Sequence, residues 1–415
     1  MTRATGTRTF RLLIYGLILA SAAAQFGLVP VMPVYAHRLG LSGFQQGLVL
    51  GATGLATLAV AMPAGTLADR FGARRITLAA GLLMAAATFG QALAGSFPTL
   101  LAARLTFGAG YGVLWTAGLC WLAAAADGPR ALGGAVASAG VGGVAGPAVS
   151  GALAEHLGLA VPLLAVGAGF AVITAGLAAL RVPRGPLTPR GEAATAGLRT
   201  VRRERGVIAA AAAVVTAGLS TGACALLVPA QLHLAGASSG QIGLAFAAAG
   251  ILFAAGSALT TAVGGRAVNL PVTCAAMLAL TAALSLAVVS TASLMLIVML
   301  CAATAARSVL WTVSYPLAAT AAERRGLGLG AAVGLLNGIW AATAVLGPLG
   351  AGLAAEHLGA RAAFGLTGAA CAAALAVTTA AAWRTRTPGP PARGAADRVP
   401  GRDPATASAA PGAVP

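Results

Sequence analysis

One thirteen-residue phrase occurs twice in this chain. Gly146-Pro147-Ala148-Val149-Ser150-Gly151-Ala152-Leu153-Ala154-Glu155-His156-Leu157-Gly158 returns as Gly347-Pro348-Leu349-Gly350-Ala351-Gly352-Leu353-Ala354-Ala355-Glu356-His357-Leu358-Gly359, with eight identical positions at a constant offset of 201 residues. That offset is about half of the 415 residues. A period so long is not a solenoid unit; it marks two homologous halves, each carrying the same packing device. In a strongly apolar chain, two fused and related helical bundles imply a fold in which one half rocks against the other.

The chain is that apolar. Its mean hydropathy is +0.88. Only 8% of its residues are charged, against about 25% in soluble domains, so a soluble enzyme is excluded. The 26 basic residues outnumber 9 acidic ones for a net charge of +17, and every basic residue is arginine. Such a balance can mark a nucleic-acid binder, but here the arginines sit in short loops between apolar runs. They read as membrane topology, and no nucleic-acid partner is expected. Arginine together with abundant Ala, Gly and Pro points to a bacterial genome rich in G and C. The five cysteines (Cys120, Cys224, Cys274, Cys301 and Cys371) lie in apolar runs without CxxC spacing. They read as free buried thiols, with neither a disulfide nor a metal or other cofactor implied. Arg3, Arg8 and Arg11 before Leu12 to Ala24 have the outline of a signal peptide. The apolar run continues to Tyr35, however, long enough to span, so it is read as an uncleaved first helix.

A crossing helix needs about 20 apolar residues. Splitting the chain at charged and Gly/Pro breaks gives spans near 10–35, 43–67, 76–95, 98–126, 131–154 and 159–180, then 206–232, 240–263, 271–290, 293–320, 327–354 and 360–382. The expected fold is therefore an all-α polytopic membrane protein of twelve helices in two pseudo-symmetric six-helix bundles. Its units are an N-terminal bundle over 1–180, a connector over 181–205, a C-terminal bundle over 206–383, and a Pro/Gly/Ala-rich tail over 384–415 that reads as disordered. Arginine placement orients it. If both termini face the cytoplasm, 22 arginines fall inside, only Arg38 and Arg361 fall outside, and Arg104 and Arg307 lie within spans. A multi-pass protein of the bacterial cytoplasmic membrane follows. The connector, with seven arginines and two acids, reads as a tether lying on the anionic inner leaflet.

Between the second and third spans stands Gly65-Thr66-Leu67-Ala68-Asp69-Arg70-Phe71-Gly72-Ala73-Arg74-Arg75. In physical terms Gly65 lets neighbouring helices approach and Gly72 permits a tight turn. Asp69 can accept from arginines or face a helix N-terminus. The segment resembles the loop motif GxLaDrxGrr of the major facilitator superfamily, with every strong position filled. Three further matches follow in order. Gly27 and Pro30-Val31-Met32-Pro33 resemble the proline motif of that family's first helix. Arg104 with Gly108 and Gly112 resembles the fourth-helix RxxxG motif. Gly142-Gly143-Val144-Ala145-Gly146-Pro147 resembles the fifth-helix GxxxGP motif associated with drug-exporting antiporters, departing from it only where Ser150 replaces a glycine. The resemblance implies a monomeric secondary transporter that is not an enzyme. It implies efflux of drugs or metabolites by alternating access in exchange for protons, and so a part in multidrug resistance. It also implies that Arg104 takes part in substrate or proton movement, held by carbonyls of the first helix, and that Asp127 pairs with the loop arginines when the inner gate is shut.

The second half keeps traces of the first. Leu227-Val228-Pro229 echoes Leu28-Val29-Pro30, Val309-Leu310-Trp311-Thr312 echoes Val113-Leu114-Trp115-Thr116, and Gly347-Pro348 repeats Gly146-Pro147. In the second loop-motif slot, Gly265 to Asn269, the acid has become Asn269, so gating chemistry is expected to differ between the halves. Gly108/Gly112 and Gly142/Gly146 read as close-packing faces, and Pro147 and Pro348 as stiff bends in their helices.

None of the nine acids (Asp69, Asp127, Glu155, Glu192, Glu204, Glu323, Glu356, Asp397 and Asp403) falls in the middle of a span. Two arginines do. An arginine at bilayer depth costs at least roughly 2.5–3.5 kcal/mol, so each should face a polar cavity or partner. For Arg307 the neutral candidates are Tyr315, Thr304 and Asn337. Gln25, Gln91, Tyr111, Trp115, Trp311, Tyr315, Asn337 and Trp340 are the expected cavity walls. Two cavity arginines without a cavity acid should repel cations and favour small neutral or anionic molecules bearing carbonyl, phenol or carboxylate groups. Proton coupling would then use Asp69 or Asp127 at the inner face, or the pairs Glu155-His156 and Glu356-His357 at the outer ends, where a histidine beside a carboxylate can titrate near neutrality. Import of sugars or organic anions on the same fold, a non-transporting sensor, and a membrane enzyme are the competing readings. The enzyme reading lacks a nucleophile motif and a cluster of acids and histidines at one membrane face.

Overall fold

The computed structural model describes residues 3–125, 128–180, 204–323 and 329–383. Over these residues the apolar runs are helices and the short Gly-, Pro- and Ser-bearing breaks are turns. The first half contains α1 (Arg3–Gly27), α2 (Met32–Leu39), α3 (Gly43–Phe71), α4 (Ala73–Ala92), α5 (Phe97–Val113), a π-helical segment (Leu114–Gly118), α6 (Leu119–Ala125), α7 (Gly128–Leu157) and α8 (Val161–Ala179). The second half contains α9 (Arg205–Leu234), α10 (Ser239–Val263), α11 (Leu270–Val289), α12 (Ser293–Glu323), α13 (Leu329–Leu358) and α14 (Ala360–Trp383). Most of the expected connector, the tail and Asp127 lie outside the described residues.

Eleven helices among the described residues are long and apolar enough to cross a membrane. The remaining expected span is α4, a full 20 residues, whose opening Arg74 and Arg75 and closing Gln91 lower its hydropathy. Two expected spans are not single α-helices. The first breaks at Leu28 to Val31, because Pro30 supplies no N–H and disfavours helix at Val29. The chain restarts with Pro33 in the first turn of α2, where proline is tolerated. The fourth span carries the π segment around Trp115, amid Gly108, Gly110, Gly112 and Gly118. Its counterpart, α12, has Thr304, Ala306, Ser308 and Ser314 at the equivalent positions and remains α-helical throughout.

Each half packs by the same plan. In the first, α1 lies on α7 and α8, α5 lies between α3 and α4, and α4 lies on α8. In the second, α9 lies on α13 and α14, α12 lies between α10 and α11, and α11 lies on α14. The halves meet along two seams, α3 with α13 and α7 with α10. Both seams are paved with small residues. A Cβ on Gly43 would stand 2.6 Å from the Gly352 carbonyl oxygen, and one on Gly47 would collide with the Pro348 carbonyl. On the related seam, Gly151 faces the Ser239 carbonyl and Gly243 the Pro147 carbonyl, again without room for a Cβ.

These contacts crowd toward the end of the bundle where the repeated phrase finishes, near Glu155 and Glu356. The apolar core is likewise shared there. One cluster joins Leu28, Tyr35, Leu50 and Leu100 of the first half to Leu227, Ile242, Leu300 and Phe364 of the second. Toward the other end, where Asp69 lies, the core splits. Phe10, Met84, Phe107, Trp121 and Phe170 form a cluster within the first half, and Val207, Val214, Ala322 and Leu336 form another within the second. On α3, α7 and α13 the open end shows Gly65, Gly140 and Gly338 with nothing within 4 Å of a Cβ built there. Among the described residues, the halves are therefore joined at the repeat end and released from one another at the loop-motif end.

Candidate functional site

At the released end, Gly72 turns α3 into α4 with φ +89, a left-handed conformation that suits glycine. The turn is held by Gly72 N donating to the Ala68 carbonyl at 2.9 Å. Asp69, Arg70, Arg74 and Arg75 are all exposed. Arg70 lies over the Phe71 ring at 5.2 Å. Arg74 reaches across to the end of α8, donating to the carbonyls of Ala178 at 2.7 Å and Leu180 at 3.3 Å. A guanidinium at a helix C-terminus satisfies orphan carbonyls and the local dipole. Gly65 does not serve a close helix approach in this arrangement: the space where its Cβ would sit is open.

Among the described residues, Arg104 is the largest fully buried side chain, 1% exposed. Its Nη2 donates to the Gln25 carbonyl at 3.1 Å and to Gln25 Oε1 at 2.8 Å. The guanidinium lies over Phe107, 5.2 Å from the ring centroid. Gln25 is thus a clamp on the arginine, tying α5 to the last turn of α1. Arg307, 7% exposed, is held more sparingly. It donates to the Thr304 hydroxyl of its own helix and lies beside the Cys224 thiol of α9, while its Nη1 is buried without a hydrogen-bond partner. Tyr315 and Asn337 do not reach it. They bond to each other at 2.7 Å, joining α12 to α13. Arg104 also leaves Nε and Nη1 unpaired, so both arginines retain donor capacity in an apolar setting, where an unmade hydrogen bond is costly.

Aromatic side chains continue both arginine positions along the helices. Tyr111 lies 6.0 Å from Trp115 on the first-half side. Trp311 and Tyr315 are stacked at 6.4 Å on the second-half side, with Trp340 packed into the same small cluster. Gln91, expected on a cavity wall, is instead 1% exposed inside the first bundle. Its Nε2 donates to its own helix at Ala87, and its carbonyl accepts from the buried Tyr35 hydroxyl.

The GxxxGP segment is a packing face. Gly142 and Gly146 lie against Leu19 and Ala23 of α1, and the small Ser150 rests on Gly27. Gly347 and Pro348 repeat the arrangement against Leu219 and Gly222 of α9. Sequence reasoning placed Glu155 and Glu356 at the repeat end but missed what they bind there. Glu155 Oε2 accepts from Ser238 Oγ at 2.8 Å and from Gly240 N at 3.0 Å, while Glu356 Oε2 accepts from Phe44 N at 3.0 Å. A signal was present: Ser42-x-x-Gln45 and Ser238-x-x-Gln241 are both helix-capping boxes, a pattern readable in sequence.

The model of the Major Facilitator Superfamily matches residues 14–332 and 210–411. Among curated proteins, the MFS-type transporter YuxJ of Bacillus subtilis is 36% identical over 139 residues, 32% of this chain and 35% of that protein. The quinolone resistance protein NorA of Staphylococcus aureus is 33% identical over 86 residues, 21% of this chain and 22% of NorA. The chain thus matches about a third and about a fifth of these relatives' lengths. Among solved structures, a bacterial homolog of the human lysosomal transporter Spinster, inward-facing and unoccupied, superposes with a TM-score of 0.72 at 18% identity, covering 91% of this chain and 96% of the other. The nucleoside transporter NupG gives 0.72 at 12% identity, covering 91% and 98%. At such identities the likeness is one of fold.

Proposed function

We propose that this chain, which belongs to the major facilitator superfamily, exports small organic molecules across the bacterial cytoplasmic membrane in exchange for protons. The observation that carries alternating access is the uneven core: shared by both halves at the repeat end and split in two at the loop-motif end. A bundle pair with one end joined and the other released is one of the two states a rocking transporter needs. The arginine distribution supports placing the released end in the cytoplasm, with both termini on that side and the structure in its inward-open state. The GxxxGP face and the partial likeness to NorA support export.

The pathway residues of this reading are Arg104 with its clamp Gln25, Arg307, the aromatic pairs Tyr111/Trp115 and Trp311/Tyr315, and Asn337. The loop-motif residues Asp69, Arg70, Arg74 and Arg75, with Asp127, form the cytoplasmic gate. Two buried arginines and no carboxylate at their depth support a neutral or anionic substrate, because a cation would enter a site already positive.

Inside-out membrane vesicles energised to an acid interior test this. Adding a neutral or anionic aromatic compound is expected to dissipate the pH gradient, and Asp69→Asn is expected to abolish the response at normal expression. Saturable dissipation by a permanently cationic dye would overturn the substrate class. Silence across neutral, anionic and cationic compounds would overturn proton-coupled export.

A further inference from the structure

We propose that Glu155 and Glu356 are paired latches that hold the outer gate shut, and that they set the balance between inward-open and outward-open states. This rests on alternating access alone, not on substrate or direction of transport. Each glutamate ends a helix of one half and binds the N-terminus of a helix of the other. Glu155 closes α7 and receives the N–H of Gly240, the second residue of α10. Glu356 closes α13 and receives the N–H of Phe44, the second residue of α3.

The first turn of a helix leaves backbone donors without intrahelical partners. In α3, Ser42 N donates to Gln45 Oε1 at 3.0 Å and Gln45 N to Ser42 Oγ at 3.3 Å. In α10, Ser238 N donates to Gln241 Oε1 at 3.0 Å and Gln241 N to Ser238 Oγ at 3.2 Å. Both capping boxes leave the second helical N–H pointing away from its own helix, and in both cases the opposite half supplies the carboxylate. The cap serine takes part as well: Ser238 Oγ donates to Glu155, and Ser42 lies beside Glu356. Two negative groups thus sit at the positive ends of two helix dipoles.

Close approach is needed at both places, and glycine provides it. A Cβ on Gly240 would run into Glu155 Oε2, and one on Gly43 would press on the Gly352 carbonyl one turn before Glu356. Parting the halves at this end breaks both latches at once, since each spans the divide between them. The repeated phrase therefore encodes more than a packing face: its closing Glu-His-Leu-Gly carries the group that fastens the face.

Hydrogen–deuterium exchange of the full chain in lipid nanodiscs tests this, comparing wild type with Glu155→Ala, Glu356→Ala and the conservative Glu155→Gln and Glu356→Gln. Each Ala variant is expected to speed exchange two- to about fivefold over its own capped turn, and also over the other, at 43–46 and 239–242, since both latches part together. It should also slow exchange over 62–72 and 257–268, at the far end of the same helices, as the population moves to the outward-open state. The Gln variants, which keep an acceptor oxygen, should lie between wild type and Ala. Acceleration confined to the capped turns would reduce the glutamates to local caps and overturn the proposal. Acceleration throughout the chain, or no change, would overturn it as well.

Discussion

Two buried arginines meet the same physical demand with different means. Arg104 finds a carbonyl and an amide oxygen on Gln25 and a ring beneath it, with Nε and Nη1 left unpaired, whereas Arg307 has only a hydroxyl and a thiol as neighbours among the described residues, with Nη1 left unpaired. Arg104 is accordingly the helix tie, and Arg307, with no oxygen from another described helix bound to it, the guanidinium freer to turn toward a substrate oxygen. Arg307→Ala is expected to raise KM for anionic substrates about tenfold or more while leaving neutral ones within about twofold, at unchanged protein yield. Arg104→Ala should depress transport of every substrate alike. Vesicle kinetics across matched anionic and neutral compounds check both, and an equal loss for both classes in Arg307→Ala would contradict the assignment. The two arginines were visible in the sequence as charges at bilayer depth, but their partners were not. Gln25 is 79 residues from Arg104, and only the fold brings them together. Pseudo-symmetry adds a reason. Aligned on the Val-Leu-Trp-Thr echo, Arg307 takes the place of Tyr111, and aligned on the Leu-Val-Pro echo, Cys224 takes that of Gln25. The second half has thus kept the site and exchanged its chemistry.

Helices were the most legible level, because length and hydropathy alone mark a membrane span. What escaped were departures inside them, the break at Leu28 to Val31 and the π turn at Leu114–Gly118. Both arise from local Pro and Gly content that hydropathy averages away. Glycines on the seams divide by function in the same hidden manner. Gly47 and Gly243 have no room for a Cβ, whereas Gly65 has nothing near it. Gly47→Val and Gly243→Val should therefore prevent closure at the repeat end. Gly65→Val should leave the present state intact and obstruct only the state in which the loop-motif end closes. All three are expected to lower transport at least about tenfold. In exchange measurements the first two should protect the loop-motif end and the third should not. Full transport in Gly65→Val would show that no helix closes on that face.

For the whole molecule, the apolar core itself describes the motion. A single cluster at one end acts as the joined jaw, and the two clusters at the other end are the bodies that move apart. The duplication was legible from thirteen residues. The direction in which the pair was open was not, since related halves permit either end to close, and the choice depends on contacts between residues 83 to 312 positions apart, such as Ser238 with Glu155 and Phe44 with Glu356. Paired spin labels at Leu157 and Ala235, at the repeat end, and at Leu67 and Val263, at the loop-motif end, report on the two ends separately. If introduced as non-cysteine labels, they leave the five native thiols in place. Pulsed dipolar distances in nanodiscs, with and without a transported compound, should show a short-distance population lost at the first pair and gained at the second in equal proportion. Distances that lengthen together, or that stay fixed in protein that still transports, would contradict a rocking pair of bundles.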